Sequence, residues 1–251
     1  MKITFVGTGS GSTSLKRYHS SLLISSSSYE MLVDAGDGIS RALLSSNIPY
    51  NIIDGILITH FHPDHFTGLP GLLVQMKMAK KETPLDIYVH ASKAGFLEDF
   101  LFNSYILQDR YDFNIRIKSI DTFFDIKPAN DLSFVVQENS HIDKYRESVL
   151  SRNLSLVSLS VLFSVDGRKI FYTGDIGGKA DLELFNRYDY LITESTHVTY
   201  EEIVTGILNK EAKVYLTHIN DSDEEELQNK IKSAHNPSIV LATDGLVIEE
   251  K

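Results

Sequence analysis

The stretch Gly55-Ile56-Leu57-Ile58-Thr59-His60-Phe61-His62-Pro63-Asp64-His65 runs an apolar strand into three imidazoles and a carboxylate. Its first five residues read as buried strand, so the polar cluster begins where the chain leaves the core. Side chains alternate faces in extended backbone, which sends His60 and His62 to one side. Pro63 is excluded from a helix interior but suits a first turn, so Asp64 and His65 open the next helix and point back to the same spot. Neutral imidazoles suit zinc and other first-row divalent ions, and a carboxylate balances charge. Because Asp64 and His65 are turned differently from His60 and His62, the four groups can serve two ions. A solvated His-rich turn is the plain alternative, but nothing structural requires the HxHxDH pattern.

Two neighbouring ions completed by a water need roughly seven protein ligands. The chain offers three more at strand ends. His141 follows the alternating run Leu132-Ser133-Phe134-Val135-Val136-Gln137, Asp175 closes Lys169-Ile170-Phe171-Tyr172-Thr173-Gly174, and His218 ends Lys213-Val214-Tyr215-Leu216-Thr217. Open sheets place their sites at such strand ends. Alone, each reads more simply as a hydrogen-bonded surface residue; beside the first cluster they complete a set. With no cysteine in the chain, the ions rest on His and Asp alone. That donor chemistry favours zinc and also accepts manganese or iron.

Hydrophobic periodicity predicts strands at 2–6, 20–25, 30–35, 55–59, 86–90, 115–120, 132–138, 155–165, 169–173, 189–194, 213–217 and 239–243. Helices are predicted at 38–46, after the strand at 55–59 through about 80, and at 92–107, 179–186, 200–210 and 222–234. Strands crowded into two blocks with helices between them suit two packed sheets flanked by helices. Nothing in composition divides the chain, so residues 1–251 read as one domain, and 42% hydrophobic residues suffice for its core. Ser25 to Ser28 reads as a turn between strands. No apolar run approaches the ~18 residues of a membrane span and no signal peptide is visible, which makes the cytoplasm the default.

The net charge of −10 argues against a protein that coats nucleic acid. A phosphodiester substrate stays admissible, because two divalent ions reverse the local sign. Asp221 to Glu226 read as a solvated helix start. Lys77, Lys80 and Lys81 read as an exposed helix end matched to the macrodipole rather than as a phosphate clamp.

The segment His60–His65 preceded by Ile56-Leu57-Ile58-Thr59, then His141, Thr173-Gly174-Asp175 and Leu216-Thr217-His218, resembles in order and context the metallo-β-lactamase superfamily. Ile3-Thr4-Phe5-Val6-Gly7-Thr8-Gly9-Ser10-Gly11, Ser20-Ser21-Leu22-Leu23-Ile24 and Met31-Leu32-Val33-Asp34-Ala35-Gly36-Asp37-Gly38 are similar to its ribonuclease Z branch. Ala242-Thr243-Asp244-Gly245-Leu246 resembles the related cyclic-phosphodiesterase enzymes of phosphonate breakdown. The resemblance implies an α/β four-layer αββα sandwich with metals at the edge of the sheets. It also implies that His60, His62 and His141 hold one ion, that Asp64, His65 and His218 hold the other, and that Asp175 bridges them. Such a pair lies about 3.5–4 Å apart and lowers the pKa of a shared water from about 15.7 towards ~7. The resulting hydroxide attacks phosphorus or a carbonyl while the ions screen the developing charge. Asp64 can also receive the water's proton. Asp34 and Asp37 are expected to accept imidazole N–H groups, a role that for Asp37 is compatible with capping a helix. The glycines around Thr8 and Ser10 either bring the first turn close to the metals or simply form a tight turn.

Leu191-Ile192-Thr193-Glu194-Ser195-Thr196-His197 resembles the ribonuclease Z segment whose Glu works with a downstream His on the scissile phosphate. Glu194 falls at that Glu. The later His-Ser-Thr stretch of the family is absent, so His197 either replaces its His as leaving-group acid or caps the helix near Tyr200. His19 lines the mouth or sits on the surface; His90 and His235 read as structural. The long Gly/Pro-rich arm that grips transfer RNA has no counterpart. Phe96, Phe100, Phe102, Tyr105, Tyr111 and Phe113 there read as core or lid packing rather than base-stacking platforms. The leading reading is a dinuclear metal-dependent phosphodiesterase acting on RNA ends, cyclic phosphates or nucleotides, with a homodimer consistent with the resemblance. A hydrolase of a lactone, thioester or lactam is the second reading, and a non-catalytic metal-bound sensor the third.

Overall fold

The computed structural model describes residues 1–150, 154–209, 211–234 and 238–250. His235 lies outside the described residues. Three antiparallel strands begin the first sheet: β1 (Lys2–Gly7), β2 (Ser21–Ser25) and β3 (Glu30–Val33). β4 (Gly55–Leu57), β5 (Leu85–His90) and β6 (Ile115–Ile120) extend it in parallel. Parallel neighbours require crossovers. These are α1 (Ile39–Ser45), then α2 (Pro63–Phe66) with α3 (Leu69–Met78), then α4 (Ala94–Asn103).

The second sheet repeats the plan. β7 (Ile126–Ala129), β8 (Leu132–Glu138), β9 (Leu159–Val165) and β10 (Arg168–Tyr172) are antiparallel. β11 (Tyr190–Glu194), β12 (Lys213–Thr217) and β13 (Ile239–Leu241) follow in parallel, crossed by a 3₁₀ segment at Lys179–Glu183, α5 (Tyr200–Gly206) and α6 (Glu224–Ala234). β14 (Val247–Glu249) then returns to the first sheet beside β1.

Alternation along the strands sorts the side chains into three cores. Ile3, Phe5, Leu22, Ile24 and Met31 meet Phe134, Val136, Phe163 and Tyr172 between the sheets. On the opposite face of the first sheet, Leu23, Leu32 and Ile56 pack on Leu43, Leu72 and Leu97 of its helices. Phe171, Leu191 and Val214 pack on Ile203 and Leu227 of α5 and α6. The layers run helix, sheet, sheet, helix: the expected αββα sandwich. Central strands covered on both faces explain the near-continuous apolar runs in the sequence.

Several boundaries differ from the periodicity. The helix expected after the strand at 55–59 through about 80 breaks at Thr67-Gly68, where Gly68 lies so close to the Gly36 carbonyl that a Cβ would collide with it. The strand expected from 155 starts at Leu159, and the helices expected at 92–107 and 200–210 end at Asn103 and Gly206. β7 and β14 were not expected; both are short edge strands with little apolar pattern. Lys81 is not on an exposed helix end. It is buried, its Nζ donating to the Asn51 carbonyl at 3.3 Å and to Thr83 Oγ1 at 2.8 Å, because the chain turns back into the core after α3. The aromatic region divides: Phe113 is buried and Phe100 and Tyr111 are partly buried, whereas Phe96, Phe102 and Tyr105 are exposed. Among the described residues no helix is long and apolar enough to cross a membrane.

Candidate metal centre

The first sheet delivers its ligands through β4. Beyond Leu57 the chain stays extended, and Thr59 is tied twice to Asp34, donating from its backbone N–H at 2.8 Å and from Oγ1 at 2.9 Å. Pro63 then starts α2 as expected, and the turn carries Asp64 and His65 back over the strand end. Gly36 permits this, since a side chain there would strike the Asp64 carbonyl. Asp34, held at φ 62, accepts His65 Nδ1–H at 2.8 Å and so leaves Nε2 facing inward. The second sheet contributes from three strand ends. Asn139 accepts the His141 N–H at 3.1 Å and anchors that loop to Ser160 and Thr173. Asp175 follows β10. His218 follows β12 at φ 53, its carbonyl taken by Thr196 Oγ1 at 2.5 Å.

All seven expected ligands converge. The donor atoms of His60, His62, His141 and Asp175 lie within 4.8 Å of one another, and so do those of Asp64, His65, Asp175 and His218. His60 Nε2 and His141 Nε2 lie 3.0 and 3.1 Å from His62 Nδ1. Asp175 Oδ2 stands between the groups, 3.7 Å from His141, 3.4 Å from His65 and 3.2 Å from His218. His65 Nε2 and Asp175 Oδ1 are buried and have no hydrogen-bond partner among the described residues. A buried polar atom left unpaired costs about 1–3 kcal/mol, so their convergence on one centre fits a cation.

Charge divides the two groups. Burial, reinforced by neighbouring His65, drives His60 well below the ordinary histidine range, and burial brings His141 to about 3. Burial opposes charge on His65 and His218, but Asp175 together with Asp34 at His65, and with Asp64 and Glu194 at His218, outweighs it and raises both. Asp64 likewise stays below the usual carboxylate range despite burial, because His218 hydrogen-bonds to it and His65 stands 3.4 Å away. A divalent ion would supply the positive charge that His65 and His218 carry as protons.

Beside this centre, buried Glu194 accepts the N–H groups of Ile176, Thr196 and His197 at 2.9, 2.9 and 2.7 Å, and His197 Nδ1 at 2.8 Å. The His197 ring packs 4.6 Å from that of His141 and 5.8 Å from that of His218, measured between centroids. The cap of α5 is Thr199, in a reciprocal box with Glu202, so His197 is not the helix cap. The profile described as "Anti-Pycsar protein Apyc1" matches residues 1–235. The chain belongs to the Anti-Pycsar protein Apyc1 family.

This family member is similar in sequence to ribonuclease Z proteins and shares its fold with a metallo-β-lactamase fold protein. A ribonuclease Z of Prochlorococcus marinus is 35% identical over 125 residues, covering 49% of this chain and 39% of the relative. The chain thus spans about two fifths of the curated relatives it matches in this way. A ribonuclease Z of Archaeoglobus fulgidus is 26% identical over 303 aligned positions, 99% of this chain and 97% of the relative. That alignment is longer than the chain, so the relative carries insertions this family member lacks. The solved metallo-β-lactamase fold protein YhfI from Bacillus subtilis superposes with a TM-score of 0.75 at 19% identity, covering 99% of each chain.

The expectation for Asp37 in this family member does not hold. Asp37 is exposed and, among the described residues, bonds no imidazole; the cap position of α1 is Gly38, which leaves Asp37 pointing to solvent. The N-terminal turn does reach the centre, since a Cβ at Gly11 would lie 3.0 Å from Asp64 Oδ2. His19 bonds the Ser10 carbonyl at 2.7 Å, and His90 caps the 3₁₀ turn after β5, accepting the Ser92 N–H. Thr59, Asn139 and Thr196 were missed. A polar residue closing an apolar strand was the available signal for Thr59; the other two act through contacts distant in sequence.

Proposed function

We propose that this chain is a metal-dependent phosphodiesterase with two ion sites, folded as a single domain. The observation that carries the reading is the pair of His/Asp quartets sharing Asp175, with His197 beside a ligand of each. His60, His62, His141 and Asp175 would hold one divalent ion, and Asp64, His65, His218 and Asp175 the other, with zinc the best fit and manganese or iron accepted. When bound, the ions supply an acidified water and charge compensation for the phosphoryl oxygens.

The chain's own residues complete the chemistry. Asp64 takes the proton of the attacking water. The bond from phosphorus to the leaving oxygen breaks, and His197, fixed through Nδ1 by Glu194, donates from Nε2 to that oxygen. Asp34 keeps His65 in the tautomer whose Nε2 faces inward. The substrate class is a small phosphodiester, such as an RNA 3′ end, a cyclic phosphate or a nucleotide. Its support is a cavity of about 340 Å³ beside His60 and His62, together with the net charge of −10. That volume is near the lower limit of ~300 Å³ for ligand pockets. The test is turnover of bis-p-nitrophenyl phosphate by the metal-loaded protein, abolished in Asp64→Ala. Unchanged turnover in that variant removes the mechanism. Hydrolysis of lactones or thioesters with no phosphodiester cleaved replaces it with the carbonyl reading.

A further inference from the structure

Three buried cations outside the metal centre behave differently. Arg17 donates to the Ala242 carbonyl at 2.9 Å and pairs with Glu224 at 3.1 Å. Lys81 donates to a carbonyl and a hydroxyl. Lys93 is only 9% exposed, yet it has no side-chain hydrogen bond and no carboxylate within ion-pair distance among the described residues. Burial holds its ammonium below the ordinary lysine range with no acid opposing the shift. It also stands at the N-cap of α4, where the helix dipole disfavours a cation. Burial and dipole both work against this charge, and the folded protein offers it no compensation.

What Lys93 does line is the cavity that opens on His60 and His62. The rest of that cavity is mainly apolar, with Ile142, Leu156 and Val157 on its wall and Tyr145 edge-on to His62 at 5.7 Å between ring centroids. A cation in an apolar cavity next to two ligands of the first quartet suits an organic anion.

We propose that Lys93 is a substrate-binding residue whose ammonium pairs with an anionic oxygen of an organophosphate, while the organic group of that substrate lies against the apolar wall. This rests on the phosphodiesterase reading and sharpens it. A phosphodiester brings a negative charge to Lys93, whereas a lactone or thioester brings none and leaves the ammonium without a counter-charge. Lys93 thereby selects charged over neutral esters.

Two variants test it. Lys93→Met keeps the stem and removes a charge that burial and the helix dipole both disfavour, so its unfolding midpoint stays at or above that of the parent. For bis-p-nitrophenyl phosphate its KM rises about tenfold with kcat within about threefold, and Lys93→Arg stays within about threefold of the parent in both. An unchanged KM in Lys93→Met overturns the role of Lys93 while leaving the phosphodiesterase reading intact. Calorimetric binding of phenylphosphonate separates the two claims, because it needs no turnover. About tenfold weaker binding to Lys93→Met supports the inference, and equal affinity overturns it whichever substrates the protein cleaves.

Discussion

The two quartets share Asp175 and lie side by side, yet their surroundings differ. The His60, His62 and His141 group borders the open cavity and is backed by neutral groups: the Thr59 hydroxyl lies against the His60 ring, and the Asn139 amide holds the His141 backbone. The Asp64, His65 and His218 group is enclosed by carboxylates, with Asp34 behind His65 and Glu194 4.0 Å from His218 Nδ1. The first group therefore presents lone pairs ready for a cation, and the second stores positive charge as protons. The lesson is that ligand identity alone does not set how a site loads; the groups behind the ligands do.

The largest effect is expected where the quartets meet. Asp175→Ala removes the shared ligand and strands the charges of His65 and His218, so bound metal falls at both sites and phosphodiester turnover drops by more than about a thousandfold, read by elemental analysis and initial rates. Asp34→Asn acts directly on His65 of the second group and reaches the first only through Thr59. Its outcome is a loss of about 10–100-fold in affinity for the second ion, seen in a calorimetric titration as one retained tight site and one weakened one. Equal weakening of both sites would erase the distinction between the groups.

The same titration carried out at several pH values gives a further test. His65 and His218 have raised pKa values in the metal-free protein, so their protons must leave before their nitrogens bind. Affinity for the second ion therefore increases as pH rises through those values, with up to two protons released. His141, at about 3, and His60, well below its ordinary range, are already neutral, so the first ion binds without that dependence above mildly acidic pH. Proton release from buffers of different ionisation enthalpy reads the difference.

A milder change comes from Asn139→Ala, which frees the loop carrying His141 and weakens the first ion about tenfold while sparing the second. The smallest is Gly11→Ala. The added methyl presses on Asp64 Oδ2 and lowers kcat about threefold, with the metal content unchanged.

Most of the centre was legible because its signals are local. Four candidate ligands sit in six residues between a strand and a Pro-started helix, and His141, Asp175 and His218 each end an apolar run. The layered fold followed from the two blocks of strands. Legibility failed where a distant contact decides. Gly68 breaks a helix because Gly36 packs against it, and Lys81 is buried because its chain turns toward Asn51. Asp37 faces solvent because the turn at Gly38 aims it away. For His197, cap and acid were indistinguishable in sequence until Thr199 took the cap and Glu194 took Nδ1. Lys93 gave no signal at all, since nothing in its neighbourhood of sequence reveals a missing counter-ion.

The most direct test is an anomalous difference map from crystals of the zinc-loaded protein. The account predicts two peaks on either side of Asp175, one among His60, His62 and His141 and one among Asp64, His65 and His218. A single peak, or zinc bound away from Asp175, would contradict it.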